Sequence, residues 1–270
     1  MTLSRSLYDV FVCLYAVSLV LFFIDAMQPH RSVNRLAVVL LFSAFSLETV
    51  FLLDELLSLG YVPIYNPYDV GLLLSWLVLL VVLCINAFFR VGMILFFANV
   101  FGFAFVVANA AVREASIGPS HHGDLLTIHI VCALMSYVAF CLAVMYSGMY
   151  LIGVSLLRRK QWNSLFLRLP SLSQLDFFAY RSVMVGYPLL TIGIVLGGVL
   201  EQVRLGRIIW LDSKPIVTLV VWLMYGIYLL LRTRWGWGGA NLAKYALVCF
   251  AVVLVNLWIA GRLSSFHHTF

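Results

Sequence analysis

The chain has 270 residues, 64% hydrophobic and 10% charged, with a mean hydropathy of +1.05 and a formal charge of +6. A soluble domain of this composition would present a largely apolar surface to water, so the outer face must meet lipid. In a bilayer the basic excess speaks of orientation rather than of nucleic acid, and no nucleic-acid partner is expected.

A span of the hydrocarbon core needs about 20 mainly apolar residues. Segments of that kind are predicted at Tyr8–Met27, Leu36–Leu59, Val70–Phe89, Val91–Val112, Leu125–Leu157, Phe177–Leu200, Pro215–Leu231 and Leu242–Ala260. The expected fold is therefore all-α: a polytopic integral membrane protein with eight transmembrane helices and both termini outside, forming a single transmembrane domain over residues 1–270. The first segment lacks a small-residue cleavage site and is taken as a retained helix. Only Arg90 separates the third and fourth segments, which implies a tight hairpin or one long bent helix. The fifth is long enough to protrude from the membrane. Pro215 suits the first turn of a helix, where its missing N–H costs nothing.

Orientation follows from the basic residues flanking the spans. Arg5, Arg113, Arg204, Arg207, Lys214 and Arg262 fall on the side of the termini, six in all, against eleven opposite, among them Arg31, Arg35, Arg158, Arg159, Lys160, Arg168, Arg232 and Arg234. The richer side is expected to face the cytoplasm, and the loops around 61–69, 113–124 and 206–212 to face outward. The localisation expected is a bacterial cytoplasmic membrane. The five cysteines lie in apolar runs without CxxC or zinc-type spacing and are expected to pack rather than react.

Five of the six histidines fall on the outer side by this count: His121, His122, His129, His267 and His268. His129 lies about one turn into the fifth segment, and two readings stand for it: an interfacial residue bonded to a loop, or an axial ligand of haem iron paired with His267, with His268 as substitute. Imidazoles converging from two helices can hold a porphyrin between them. Trp210 and Trp222 could then line the ring, and Arg204, Arg207 or Lys214 could pair with its propionates. For His267 and His268 a frayed polar tail is the alternative.

A family resemblance sharpens these choices. The run His129-Ile-Val-Cys-Ala-Leu-Met-Ser136-Tyr137, the pair Leu175-Asp176, and Gly186-Tyr187-Pro188 continuing through Thr191, Gly193, Gly197 and Gly198 resemble the cytochrome c assembly protein family. That family carries an external loop reading like WSWDPKE, where this chain has Trp210-Leu-Asp212-Ser-Lys214-Pro215, followed by Trp222, Tyr225 and Tyr228. Pro63, Tyr65, Pro67 and the Ser75-Trp76 pair look like the N-terminal half of the family. The resemblance implies a haem-handling membrane protein with non-covalent haem b, no catalytic residues, His129 and His267 as axial ligands, and the Trp210–Asp212 loop beside them.

Three departures bear on the branch. One loop tryptophan is lost and the WDPKE order has become WLDSKP; the C-terminal histidine stands in a changed context; and Leu230 occupies the place where synthase members carry a histidine. Leucine cannot ligate iron. The pattern is similar to the HemX branch, whose members are associated with control of glutamyl-tRNA reductase, and the resemblance thereby implies that enzyme as a cytoplasmic partner. The rival expectations are a component of cytochrome c synthase and a cofactor-free solute transporter. Among other polar positions, Glu48 lies deep in the second segment as a partner for an arginine or a proton site. Asp54, Glu55 and Glu201 are expected near interfaces, with Glu201 ending its helix. Gly193, Gly197 and Gly198 are expected to permit close helix packing, and Trp235 and Trp237 to form an interfacial belt.

Overall fold

In lipid every backbone N–H and C=O must be satisfied within its own segment, which leaves the helix as the available element for such apolar runs. The structure, a computed structural model, describes residues 2–59, 67–89, 92–110, 124–162, 164–205 and 213–257. Among them every regular element is helical: α1 (Thr2–Met27), α2 (Arg31–Leu59), α3 (Pro67–Phe89), α4 (Gly92–Ala110), α5 (Asp124–Arg158), α6 (Ser164–Arg168), α7 (Leu172–Leu205), α8 (Ser213–Arg234) and α9 (Gly239–Val255). Stretches in α1, α2, α3, α5, α7 and α8 are long and apolar enough to cross a membrane, and Met93–Val107 and Gly239–Val255 are shorter apolar helices. The chain is a multi-pass membrane protein. At 35 residues α5 is about 52 Å long, well beyond a hydrocarbon core of roughly 30 Å. Exposed side chains such as Val17, Phe23, Val39, Phe42, Val195 and Leu223 form the surface that lipid covers.

The chain divides into two compact units. The first contains Met1–Ile117 and Leu156–Pro170, the second Gly118–Ser155 and Ser171–Phe270.

In the first unit, polar side chains tie α1–α4 together where dispersion alone would leave the register loose. Tyr8 donates to the Val106 carbonyl at 3.0 Å, Ser18 to the Ala37 carbonyl at 2.9 Å, and Asn99 Nδ2 to Ser18 Oγ at 3.0 Å. Trp76 Nε1 donates to Thr49 Oγ1 at 2.8 Å while its ring stacks on Phe45 at 5.8 Å. The third and fourth segments resolve as two helices packed as a hairpin, Ser75 of α3 reaching the Gly102 carbonyl of α4 at 3.4 Å. Glu48 is fully buried, and its partner is the Tyr15 hydroxyl, which donates to Oε2 at 2.9 Å, rather than an arginine.

In the second unit, α7 carries the small-residue seam that the sequence anticipates, with one difference. A Cβ on Gly186 would lie 2.7 Å from the Phe140 ring, on Gly193 3.6 Å from the Ala133 backbone, and on Gly197 2.9 Å from the His129 ring, whereas Gly198 faces open space. As positions ascend α7 their partners descend α5, so the two helices run antiparallel. Gly198 is out of the seam because it follows Gly197 directly and so points about 100° away.

The opposite end of this unit is held by a clasp. Asp176 pairs with Arg232 at 2.5 Å and accepts the Gly239 N–H at 3.1 Å, while Arg232 also donates to the Trp237 carbonyl at 3.1 Å. One carboxylate thus joins the start of α7, the end of α8 and the start of α9. Gly239 has φ 65°, and a Cβ there would also meet the Tyr150 hydroxyl at 2.9 Å. Asp176→Ala is expected to cost about 1–2 kcal/mol, the lower part of the range for hydrogen bonds to a charged group because both side chains keep some solvent contact. A thermal unfolding curve in detergent checks this, and a midpoint equal to that of the unaltered protein would remove the clasp from the account.

Three further expectations can be placed. Cys141 and Cys249 are buried, but Cys13 and Cys84 lie on exposed apolar faces. Trp235 and Trp237 are exposed at the α8–α9 turn. Glu201 does not end its helix: α7 continues to Leu205 and Glu201 is buried.

Candidate functional site

His129 is set by two neighbours on α7. Its Nδ1 lies 2.7 Å from the Gly193 carbonyl. A carbonyl only accepts, so Nδ1 carries a proton, and in the neutral imidazole the lone pair is then on Nε2. Gly197 supplies the surface on which the half-buried ring rests, since any larger residue would enter the ring's volume. A ring with one nitrogen donating to a main-chain carbonyl and the other bearing a lone pair is the arrangement by which proteins orient metal-ligating histidines. A histidine so held could serve as one protein ligand of haem iron, since porphyrin supplies four nitrogens of its own.

Below the histidine, about two helical turns along α5, lies a polar seat that sequence reasoning missed. Asn256 Nδ2 donates to the Tyr137 hydroxyl at 2.9 Å and to Thr218 Oγ1 at 3.1 Å. These bonds join the N-terminal half of α5, the first turns of α8 and the residue closing α9. The available signal was Asn256 itself, an amide in an otherwise apolar run next to the Ser136-Tyr137 pair.

Trp222 sits on the other side of α7. Its Nε1 donates to Thr191 Oγ1 at 2.9 Å and its ring stacks on Tyr187 at 5.5 Å. A neighbouring stack joins Phe140 of α5 to Tyr225 of α8, with centroids 3.7 Å apart and planes 6° from parallel. His129 and Trp222 thus both bear on α7, through different seams. Arg204 falls in the last turn of α7 and Lys214 in the first turn of α8. Arg207, Trp210, Asp212, His267 and His268 lie outside the described residues, as do His121, His122 and the loops 61–66 and 111–123. Leu230, where a synthase-like chain would carry histidine, is 50% exposed on the outward side of α8.

The profile of the cytochrome C assembly protein family matches residues 64–268. This chain belongs to that family. The match spans the α5–α7 seam, the polar seat and the Asp176 clasp, so these are features of a cytochrome C assembly domain as this chain builds it. Among curated relatives, Protein HemX of Brevibacillus brevis is 34% identical over 97% of both chains, and Protein HemX of Bacillus subtilis (strain 168) is 32% identical over 95% of this chain and 94% of the relative. Cytochrome c biogenesis protein CcsA of Guillardia theta is 25% identical over 77% of this chain and 76% of its own. Similarity is thus greater to HemX proteins than to CcsA, in line with the departures at Trp210–Pro215 and Leu230. The chain is a haem-related, multi-pass membrane protein of the HemX kind.

Proposed function

We propose that this protein binds or senses non-covalent haem b at the outer face of the bacterial cytoplasmic membrane and, without catalysing a reaction, regulates tetrapyrrole synthesis by controlling glutamyl-tRNA reductase. The observation that supports the haem reading is the Nδ1 hydrogen bond of His129 to Gly193, which would fix the imidazole so that Nε2 could hold haem iron. His267, or His268 in its place, would be the second histidine to hold the iron; Trp210, Asp212 and Trp222 would line the ring, and Arg204, Arg207 and Lys214 would pair with the propionates. Haem supplies an iron centre and a broad apolar surface; the residues of this chain hold and orient it. With eight spans and both termini outside, that site would lie opposite Arg158, Arg159 and Lys160, where a cytoplasmic partner would be met. Regulation then requires the two faces to be coupled, for which the long helices α5 and α7 are the physical route.

Haem added to the detergent-purified protein is expected to give a shifted Soret band that a His129→Ala, His267→Ala double variant does not give. An unshifted band, or a shift the variant retains, would sink the haem site. Deletion is expected to raise the cellular level of glutamyl-tRNA reductase, and an unchanged level would remove the regulatory role while leaving haem binding standing. A second reading, a haem-handling component of cytochrome c biogenesis, draws on the similarity to CcsA. It requires instead that deletion abolish covalent c-type cytochromes.

A further inference from the structure

Within the first unit, where α1 ends and α2 begins, a cavity of about 370 Å³ opens between α1, α2, α4 and α6. One side is apolar, formed by Phe22, Met93 and Phe96; the other carries Arg31, Arg35 and Arg168. Asp25 is the one acid in its wall, and it is already saturated. Only 3% exposed, it accepts from Arg168 at 2.5 Å, from Asn34 Nδ2 at 2.8 Å and from the His30 N–H at 3.0 Å. Of the three arginines, Asp25 therefore pairs with Arg168. Among the described residues no carboxylate pairs with Arg31 or Arg35.

That pair is unfavourable on the local terms of the helix. The two arginines stand four apart on α2, where like charges repel, and Arg31 is the helix's first residue, where the macrodipole disfavours a cation. No acidic residue lies in that first turn to relieve it. Three arginines against one aspartate leave the cavity with two positive charges facing an apolar wall. An amphiphilic anion satisfies both sides at once. The depth selects the kind: the apolar stretch of α1 closes at Met27 and that of α2 opens at Arg31, so the cavity lies where hydrocarbon gives way to headgroups. Basic pockets between helices at that level suit lipid phosphates, and anionic lipid is concentrated in the cytoplasmic leaflet.

We propose that this cavity binds the phosphate headgroup of an anionic phospholipid, Arg31 and Arg35 holding the phosphate and Phe22, Met93 and Phe96 lying along an acyl chain. The Arg168–Asp25 pair then acts as a positioning contact that fixes α6 as the cavity's floor. The site is independent of haem.

The thermal midpoint of the full-length protein in neutral detergent is the readout, with phosphatidylglycerol, phosphatidylcholine and inorganic phosphate as separate additions. Phosphatidylglycerol is expected to raise the midpoint by about 4 °C or more at saturation. The other two are expected to leave it unchanged. An Arg31→Gln, Arg35→Gln double variant, whose side chains are exposed and so dispensable for folding, should lose the shift, and an Arg158→Gln, Arg159→Gln control should keep it. An equal shift with phosphatidylcholine would make the effect one of bulk lipid, and an equal shift with phosphate would make the ligand a solution anion. Either result overturns the proposal, as does a shift that survives in the Arg31, Arg35 variant.

Discussion

Gly197→Ala is expected to weaken haem binding roughly 10–100-fold, the usual loss when a contact that orients a metal ligand is removed. The added methyl would sit 2.9 Å from His129 Cε1 and 3.4 Å from Nδ1. The ring cannot slide away along the seam without giving up its 2.7 Å bond to the Gly193 carbonyl. It must therefore tilt, and both the aim of Nε2 and the tautomer that exposes its lone pair are lost together. Position 197 lies in a regular helix where alanine is otherwise preferred to glycine, so the fold should not suffer. A haem titration followed at the Soret band, run beside a thermal unfolding curve, separates the two effects. Unchanged haem affinity in a well-folded Gly197→Ala protein would show that His129 is not a ligand, whereas weakened binding with a lowered midpoint would point to packing instead.

Gly186→Val should destabilise the second unit by about 1–3 kcal/mol, as overpacking of a filled interior does. The obstacle is specific: Cβ would lie 2.7 Å from the Phe140 ring and 3.1 Å from Ala139 Cβ. Phe140 cannot swing aside, because Tyr225 is stacked on it at 3.7 Å. The strain would therefore pass through the aromatic pair into α8. Gly198→Ala provides the contrast. Twelve positions on in the same helix, it meets nothing within 4 Å, and replacing a mid-helix glycine there should stabilise by about 0.5–1 kcal/mol. Opposite signs in the detergent unfolding midpoints, read at about 2–4 °C for each kcal/mol, are the expected result. Equal effects at the two positions would mean that the seam does not distinguish them.

These two glycines also mark how far the sequence could be read. Gly193, Gly197 and Gly198 stood out as small residues in an apolar run, but spacing alone did not say which of two adjacent glycines faces a partner. Gly186 was visible only as part of a family-like motif. Of the clasp at Asp176 the sequence shows a Leu-Asp pair and, separately, Arg232 among the basic residues of the richer side, but not their meeting, 56 residues apart. Asp25 and Arg168 are 143 residues apart, and Arg168 had been counted solely for its charge. The five-residue α6 that carries it is too short to announce itself by periodicity. For Glu48 the sequence suggests an arginine partner or a proton site; the group that meets it is Tyr15 of another helix, a contact that residue spacing does not reveal.

Composition by itself determined that this chain lives in lipid, and lipid dictates helices, since an apolar run without water must satisfy its own backbone. Residue patterns also determined the family and pointed to His129. Only the tertiary structure decided which faces meet: that His129 rests on Gly197 and donates to Gly193, that Asn256 closes on Tyr137, and that Arg31 and Arg35 have no acid paired with them among the described residues. The physical reason is that a membrane helix is apolar on its buried and its exposed sides alike. The contrast that betrays a helix's inner face in water is therefore absent, and facing and register come from a few long-range polar and small-residue contacts.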